Sequence, residues 1–408
     1  MHRRSQPCRA SDVALQALVA VALFSPLGAQ TATPPARPAS CLPAGFAPPI
    51  VIYRSTEQLS DGRVTFKLCA PDASTVSVTS SDADPAIPTG GMGGAPSGLS
   101  LGKDTLGLWT GTTAIPMKPG TYRYNFRVNG ARVPDPRATR FSEERTGINS
   151  ILEVSGAEGA FQTFYPAVRH GVVSTIEYAS TSLGVKRRAH VYTPPGYMSG
   201  TASFPVLYLV HGAGDSDDSW TSVGHAHYIL DNLIAAGKAK RMIVVMPFGH
   251  TPDRPNADML ANTDFGDDLF QDLIPFVKAN FRTLNDRRSR AMAGLSMGGA
   301  HTLQFGVTHP GLFAYVGVFS MGLIDTTQVK TYETRHAAAL RRGASGPDAF
   351  RLVYYAMGKD DFLYRTVAPT RALLDKYGVR YVYNESAGGH TWMNWRDYLA
   401  DFAPRLFR

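Results

Sequence analysis

The chain has 408 residues, 44% of them hydrophobic and 18% charged, a balance that excludes a disordered or collagenous chain and leaves room for two folded cores. The formal charge of +8 comes from scattered lysines and arginines with only short pairs such as Arg187-Arg188 and Arg341-Arg342. No basic track forms, so nucleic acid is not an expected partner.

Residues 1–29 read as a secretory signal. Arg3, Arg4 and Arg9 form a basic start, Ala14 to Phe24 is apolar, and Leu27-Gly28-Ala29 offers a small-residue cleavage site. The apolar run is short for a bilayer, so a secreted or periplasmic chain with no stable membrane insertion is expected. Cys8 leaves with that segment, and Cys41 and Cys69 remain. In an oxidising compartment they permit one disulfide; two free thiols are the alternative.

Residues 30–44 are rich in Pro, Ala and Thr and suit a solvated linker. From 45 to 155 short alternating segments predict strands: Val64 to Leu68, Val76 to Thr79 and Tyr122 to Val128, the last ending in the turn signal Asn129-Gly130. The Gly-rich stretch 90–98 reads as a hairpin loop, because no Lys-Ser/Thr or helix start follows it. Residues 45–155 are thus predicted to form a small antiparallel β-sandwich.

After a connector at 156–172 the pattern changes. Val206 to Val210 and Met242 to Met246 are continuous apolar runs, as parallel strands buried on both faces require. Further strands are predicted at Arg290 to Ala293, Tyr315 to Phe319, Leu352 to Ala356 and Val379 to Tyr383, with a helix over Asp268 to Phe281. This alternation predicts a doubly wound α/β sheet over residues 173–408, whose chemistry gathers at the carboxyl ends of its strands.

One strand end carries Gly294-Leu295-Ser296-Met297-Gly298. G-x-S-x-G between a strand and a helix is the pattern of a nucleophile elbow. With 39 glycines in the chain the pattern arises readily by chance, so its context must carry the reading. A serine nucleophile needs a base and an acid, in the chain order serine, acid, histidine for this fold. His390, in Gly388-Gly389-His390-Thr391-Trp392, is the histidine well downstream in a loop after a strand; His301 and His309 follow too closely on the elbow, and His336 falls in a surface helix. Asp360 and Asp361 both follow the strand ending at Ala356, and spacing alone does not separate them. The Met297 N–H and the Ala213 N–H, in His211-Gly212-Ala213-Gly214, are candidate oxyanion donors. His211 itself is expected to hold its loop by hydrogen bonds. His225-Ala226-His227 is the only tight histidine pair and no metal or other cofactor is expected.

With these pieces placed, residues 165–405 resemble the esterase D-like family of α/β hydrolases, which includes the feruloyl esterases of carbohydrate esterase family 1. The likeness rests on Val191-Tyr192-Thr193-Pro194-Pro195-Gly196-Tyr197, Leu209-Val210-His211-Gly212, the serine elbow and the histidine loop. It implies that Asp361 is the acid, since Gly358-Lys359-Asp360-Asp361 matches the family's G-x-x-D segment. Residues 45–155 are similar to early-set, glycogen-binding-like modules, on Trp109-Thr110-Gly111-Thr112, Gly120-Thr121-Tyr122-Arg123-Tyr124 and Asp135-Pro136.

The ordered motifs and the signal-like start predict a secreted serine ester hydrolase, and the resemblance implies that it acts on hydroxycinnamate esters of plant polysaccharide. Trp220, Phe248, Phe362 and Trp392 lie near the catalytic loops in sequence and are candidates to line an aryl pocket. The rival readings are an enterobactin-type siderophore esterase, an acetylxylan esterase, and a carbohydrate-binding protein with an inert hydrolase region.

Overall fold

The computed structural model describes residues 41, 53–82, 85–88, 98–253 and 260–408. The expected signal, nearly all of the linker and most of the Gly-rich loop lie outside these residues. Among the described residues no helix is long and apolar enough to cross a membrane.

Two antiparallel sheets come first. One orders β1 (Thr56–Gln58), β2 (Val64–Cys69), β6 (Leu108–Thr112) and β5 (Gly102–Lys103) as β1-β2-β6-β5. The other runs β4 (Leu99–Ser100), β3 (Val76–Thr79), β7 (Gly120–Val128), β10 (Gly147–Val154) and β9 (Phe141–Glu144), with β8 (Ala131–Val133) also pairing β7. Their alternating side chains close one core, in which Phe66, Trp109, Tyr124 and Phe126 are buried. Asn129 and Gly130, both at positive φ (50° and 85°), turn β7 into β8, as the Asn-Gly signal requires. Cys41 and Cys69 are paired, their Cα atoms 5.6 Å apart.

The remaining strands form one eight-stranded sheet, in the order β11-β12-β14-β13-β15-β16-β17-β18. They are β11 (Val172–Ser180), β12 (Val185–Thr193), β13 (Val206–Val210), β14 (Ile243–Pro247), β15 (Arg290–Leu295), β16 (Tyr315–Phe319), β17 (Leu352–Gly358) and β18 (Val382–Ser386). β11 and β12 are an antiparallel hairpin on one edge, and the strands from β14 to β18 pair in parallel. Side chains alternate between two apolar cores, one on each face. That is why β13 and β14 read as unbroken apolar runs.

The helices are α1 (Ser219–Ser222), α2 (Ala226–Ala235), α3 (Asp264–Asp267), α4 (Ile274–Asn280), α5 (Met297–His301), α6 (Thr326–Ala344), α7 (Val367–Lys376) and α8 (Trp392–Phe402). The helix expected over Asp268 to Phe281 starts earlier, at α3, and passes through a π-helical stretch, Asp268–Leu273, into α4. The last strand lies three residues beyond its predicted start. Val379 is a buried residue after α7, whereas β18 is an edge strand whose residues are only partly covered.

Candidate active site

Ser296 joins the end of β15 to α5 with φ 51° and ψ −115°. A side chain tolerates that region only at a cost of about 1–3 kcal/mol. The turn is held by three backbone bonds: Ser296 N–H to Phe319 O (3.0 Å), Gly298 N–H to His211 O (3.0 Å) and Ala300 N–H to Ser296 O (2.9 Å). Glycine is obligatory around it. A Cβ on Gly294 would lie 2.8 Å from Gly298 Cα, and one on Gly298 would lie 2.7 Å from His211 O.

β17 and β18 carry the other two residues to the same edge. The His390 Nδ1–H donates to both Asp361 oxygens, at 2.9 Å and 3.1 Å. A carboxylate can only accept, so this contact fixes the imidazole proton on Nδ1 and leaves the Nε2 lone pair free. Asp361 is 4% exposed and also accepts from Leu363 N–H (2.9 Å), while Asp360 is exposed. Geometry thus separates the two aspartates that spacing left equal. Gly388, at φ 81°, bends the histidine loop, and its carbonyl accepts from Asp360 N–H (2.9 Å). Asn394 closes the loop from α8 through Ala387 O (2.7 Å).

The histidine ring stands between two aromatics. Phe362, 48% exposed, lies 4.6 Å from it between centroids, and Trp395 meets it edge-on at 5.0 Å. Trp395 escaped sequence reading. Its indole N–H donates to Ser320 Oγ (2.9 Å), the residue after Phe319, which binds the serine amide.

The loop after β13 abuts the elbow, since a Cβ on Gly212 would lie 3.5 Å from Ser296 Cβ. His211 is buried and accepts from Gly249 N–H at Nε2 (2.8 Å) while donating from Nδ1 to Gly212 O (2.8 Å). Burial lowers its pKa and the pairing is that of a neutral imidazole, so it ties two loops together. Ala213 is exposed at the loop's crest. Nearby, burial pushes His250 down to about 4 and His301 to about 3, so neither adds charge at neutral pH.

Two expected pocket residues are corrected. Trp220 and Trp392 are 1% and 0% exposed and pack edge-to-face at 5.1 Å within the core beneath the loops. They present no surface to a ligand. Phe248 is half-buried and lines a cleft of about 590 Å³ with Arg145, Arg188 and His250. A larger cleft, about 800 Å³, opens beside His390, with Asp360 on one wall and Lys118 and Tyr122 from the antiparallel sheets on the other. His225 is buried and donates from Nδ1 to Gln162 O (3.0 Å). Among the described residues no three His, Cys, Asp or Glu side chains are grouped to hold a metal ion.

The family model described as "Putative esterase" matches residues 180–406. The chain belongs to this esterase family. An endo-1,4-beta-xylanase/feruloyl esterase of Xylanibacter ruminicola is 36% identical over 277 residues, covering 66% of this chain and 36% of that protein. An esterase of Mycobacterium tuberculosis is 31% identical over 140 residues, 34% of this chain and 29% of its own length. The chain thus spans about a third of the length of these relatives. Among solved structures, a ferulic acid esterase is 25% identical with a TM-score of 0.50, covering 59% of this chain and 99% of that one. The enterochelin esterase of Shigella flexneri, 17% identical, covers 86% of this chain and 95% of its own with a TM-score of 0.60. That second likeness is one of fold. The matched family region of this esterase-family chain holds all three of Ser296, Asp361 and His390 and begins after the antiparallel sheets.

Proposed function

We propose that the chain is an exported serine carboxylic-ester hydrolase that works through an acyl-enzyme. Ser296 Oγ attacks the ester carbonyl carbon while His390 Nε2 takes its proton, and Asp361 holds the imidazolium. The tetrahedral oxyanion is met by the N–H groups of Met297 and Ala213. The carbon–oxygen bond to the alcohol then breaks, and His390 returns the proton to the departing alkoxide. Water repeats the sequence on the acyl-enzyme, with His390 again as base, and frees the acid. The observation that carries this reading is the buried Asp361 carboxylate on His390 Nδ1, on the same sheet edge as a serine held at positive φ.

The acyl group is proposed to be a hydroxycinnamate such as ferulate, carried on plant cell-wall polysaccharide. The likeness to the xylanase/feruloyl esterase of Xylanibacter ruminicola and the exposed Phe362 ring against His390 support this. The antiparallel sheets are proposed to be an early-set module over residues 45–155, and the cleft they share with His390 to receive the alcohol side of the ester. A siderophore esterase of the enterobactin type is the second reading, supported by the 86% coverage of this chain by the enterochelin esterase fold. Parallel assays of methyl ferulate, acetylated xylan and a catecholate triester decide between substrates. Wild-type turnover of methyl ferulate with none by Ser296→Ala is the expected result. Preference for the triester by more than tenfold would transfer the assignment to the second reading.

A further inference from the structure

β7 of the antiparallel sheets places one residue where the chemistry needs rigidity. Arg123 is 7% exposed, and its guanidinium forks between two buried carboxylates. Nε and Nη2 donate to Asp82 (2.8 and 2.9 Å), and Nη1 donates to Asp215 (2.6 Å). Asp82 and Asp215 are 7% and 4% exposed. Asp215 belongs to the loop after β13, three residues beyond Gly212. Its second oxygen accepts from Gly212 N–H (3.1 Å), and its own N–H donates to Gly212 O (3.2 Å).

That carbonyl is the decisive atom. Gly212 C=O and Ala213 N–H belong to one peptide group, which is planar and trans, so fixing the oxygen aims the N–H the opposite way. Gly212 O is fixed by Asp215 N–H and by His211 Nδ1–H (2.8 Å). Asp215 is in turn held from β7 by Arg123 and through its carbonyl by His250 Nε2–H (3.0 Å). The same guanidinium lies 5.9 Å from the Trp392 ring centroid, at the start of the helix that follows His390. Arg396, from that helix, donates back to Thr121 O (2.9 Å), two residues before Arg123.

We infer that Arg123 is a positioning residue for ester hydrolysis, acting through Asp215 to aim the Ala213 N–H at the oxyanion. The inference rests on the proposed Ser296 mechanism. It gives the antiparallel sheets a role in turnover of even the smallest ester, a role that polysaccharide binding would not confer. Arg123 lies outside the region matched by the family, and the loop it holds lies inside.

The test uses the full chain, p-nitrophenyl acetate as substrate and phenylboronic acid as a tetrahedral oxyanion mimic. Arg123→Met is expected to lower kcat about 100-fold, the cost of a misplacement of about 1 Å, with KM within threefold. The Ki of the boronate should rise in parallel with the loss in kcat. Arg123→Lys keeps the charge but offers no planar fork, and should fall between wild type and Arg123→Met. Asp215→Asn with Arg123→Met should be no worse than about threefold below the poorer single variant, because both act on one chain of contacts. A folded Arg123→Met or Arg123→Lys with kcat within twofold of wild type would overturn the inference. So would a loss confined to KM, losses that multiply in the double variant, or failure of both Arg123 variants to fold, which would make the residue one of the fold alone. Wild-type rates in Ser296→Ala would instead remove the underlying mechanism, whatever Arg123 does.

Discussion

Gly298→Ala is the most compact test of how the elbow is built. The added Cβ would meet Val210 O directly and lie 2.7 Å from His211 O, where ordinary contacts begin at 3.4 Å. Neither atom is the end of a flexible side chain; both are backbone carbonyls at the close of β13. The elbow helix and the loop bearing Ala213 must therefore move apart by about 0.7 Å at His211 O and by about 1 Å at Val210 O. This stretches the Gly298 N–H bond to His211 O, now 3.0 Å. Overpacking of this kind costs about 1–3 kcal/mol of stability. Misplacing the oxyanion donors by a comparable distance should lower kcat by about 10- to 100-fold. Steady-state kinetics on p-nitrophenyl acetate and calorimetry on the same preparation read both effects. A Gly298→Ala protein with kcat within twofold of wild type would refute the idea that contact between the elbow and the loop after β13 sets the site.

Asp361→Asn should leave the fold intact and lower kcat by about 10,000-fold, since an amide can favour the wrong imidazole tautomer; Asp360→Asn should change it less than about threefold, and reversal of the pair would reassign the acid. Buried His301, stacked on Phe265 at 4.2 Å, is pushed down to about 3, so the unfolded chain binds the extra proton between about pH 6.5 and 3 and stability falls as pH falls through that window. His301→Phe keeps the stack and should flatten the loss by up to about 1.4 kcal/mol per pH unit; parallel Tm-versus-pH curves would contradict this. Trp392→Ala should cost about 3–5 kcal/mol of stability, whereas Phe362→Ala should leave Tm unchanged and raise KM for methyl ferulate about three- to tenfold, as loss of about 1 kcal/mol of apolar contact implies. The opposite pattern would return Trp392 to the pocket.

Much of this architecture can be read from the chain because its strands are buried on both faces. β13 and β16 match their apolar runs residue for residue, and the Asn129-Gly130 turn is local chemistry. The β11–β12 hairpin is harder to see. It is an edge ribbon in which β11 is mostly exposed and β12 buries the polar Arg187 against Asp268, so neither strand shows a clean apolar signal. Proximity in sequence misleads at Trp220 and Trp392, because it says nothing of side-chain direction; both point into the core below the loops. The Arg123 fork links residues 41 and 92 positions away. No local pattern encodes such contacts: the pairing of β3 with β7 brings Asp82 to Arg123, and the packing of the antiparallel sheets on the α/β sheet brings Asp215.

The central claim is that Ser296 forms the covalent intermediate. Intact-mass and peptide mapping after reaction with a fluorophosphonate test it most directly. One adduct on the peptide containing Ser296, formed at a rate that falls when Asp361 is replaced by Asn and absent from Ser296→Ala, is the predicted result. Labelling at another residue, or ester hydrolysis by Ser296→Ala at the wild-type rate, would contradict the account.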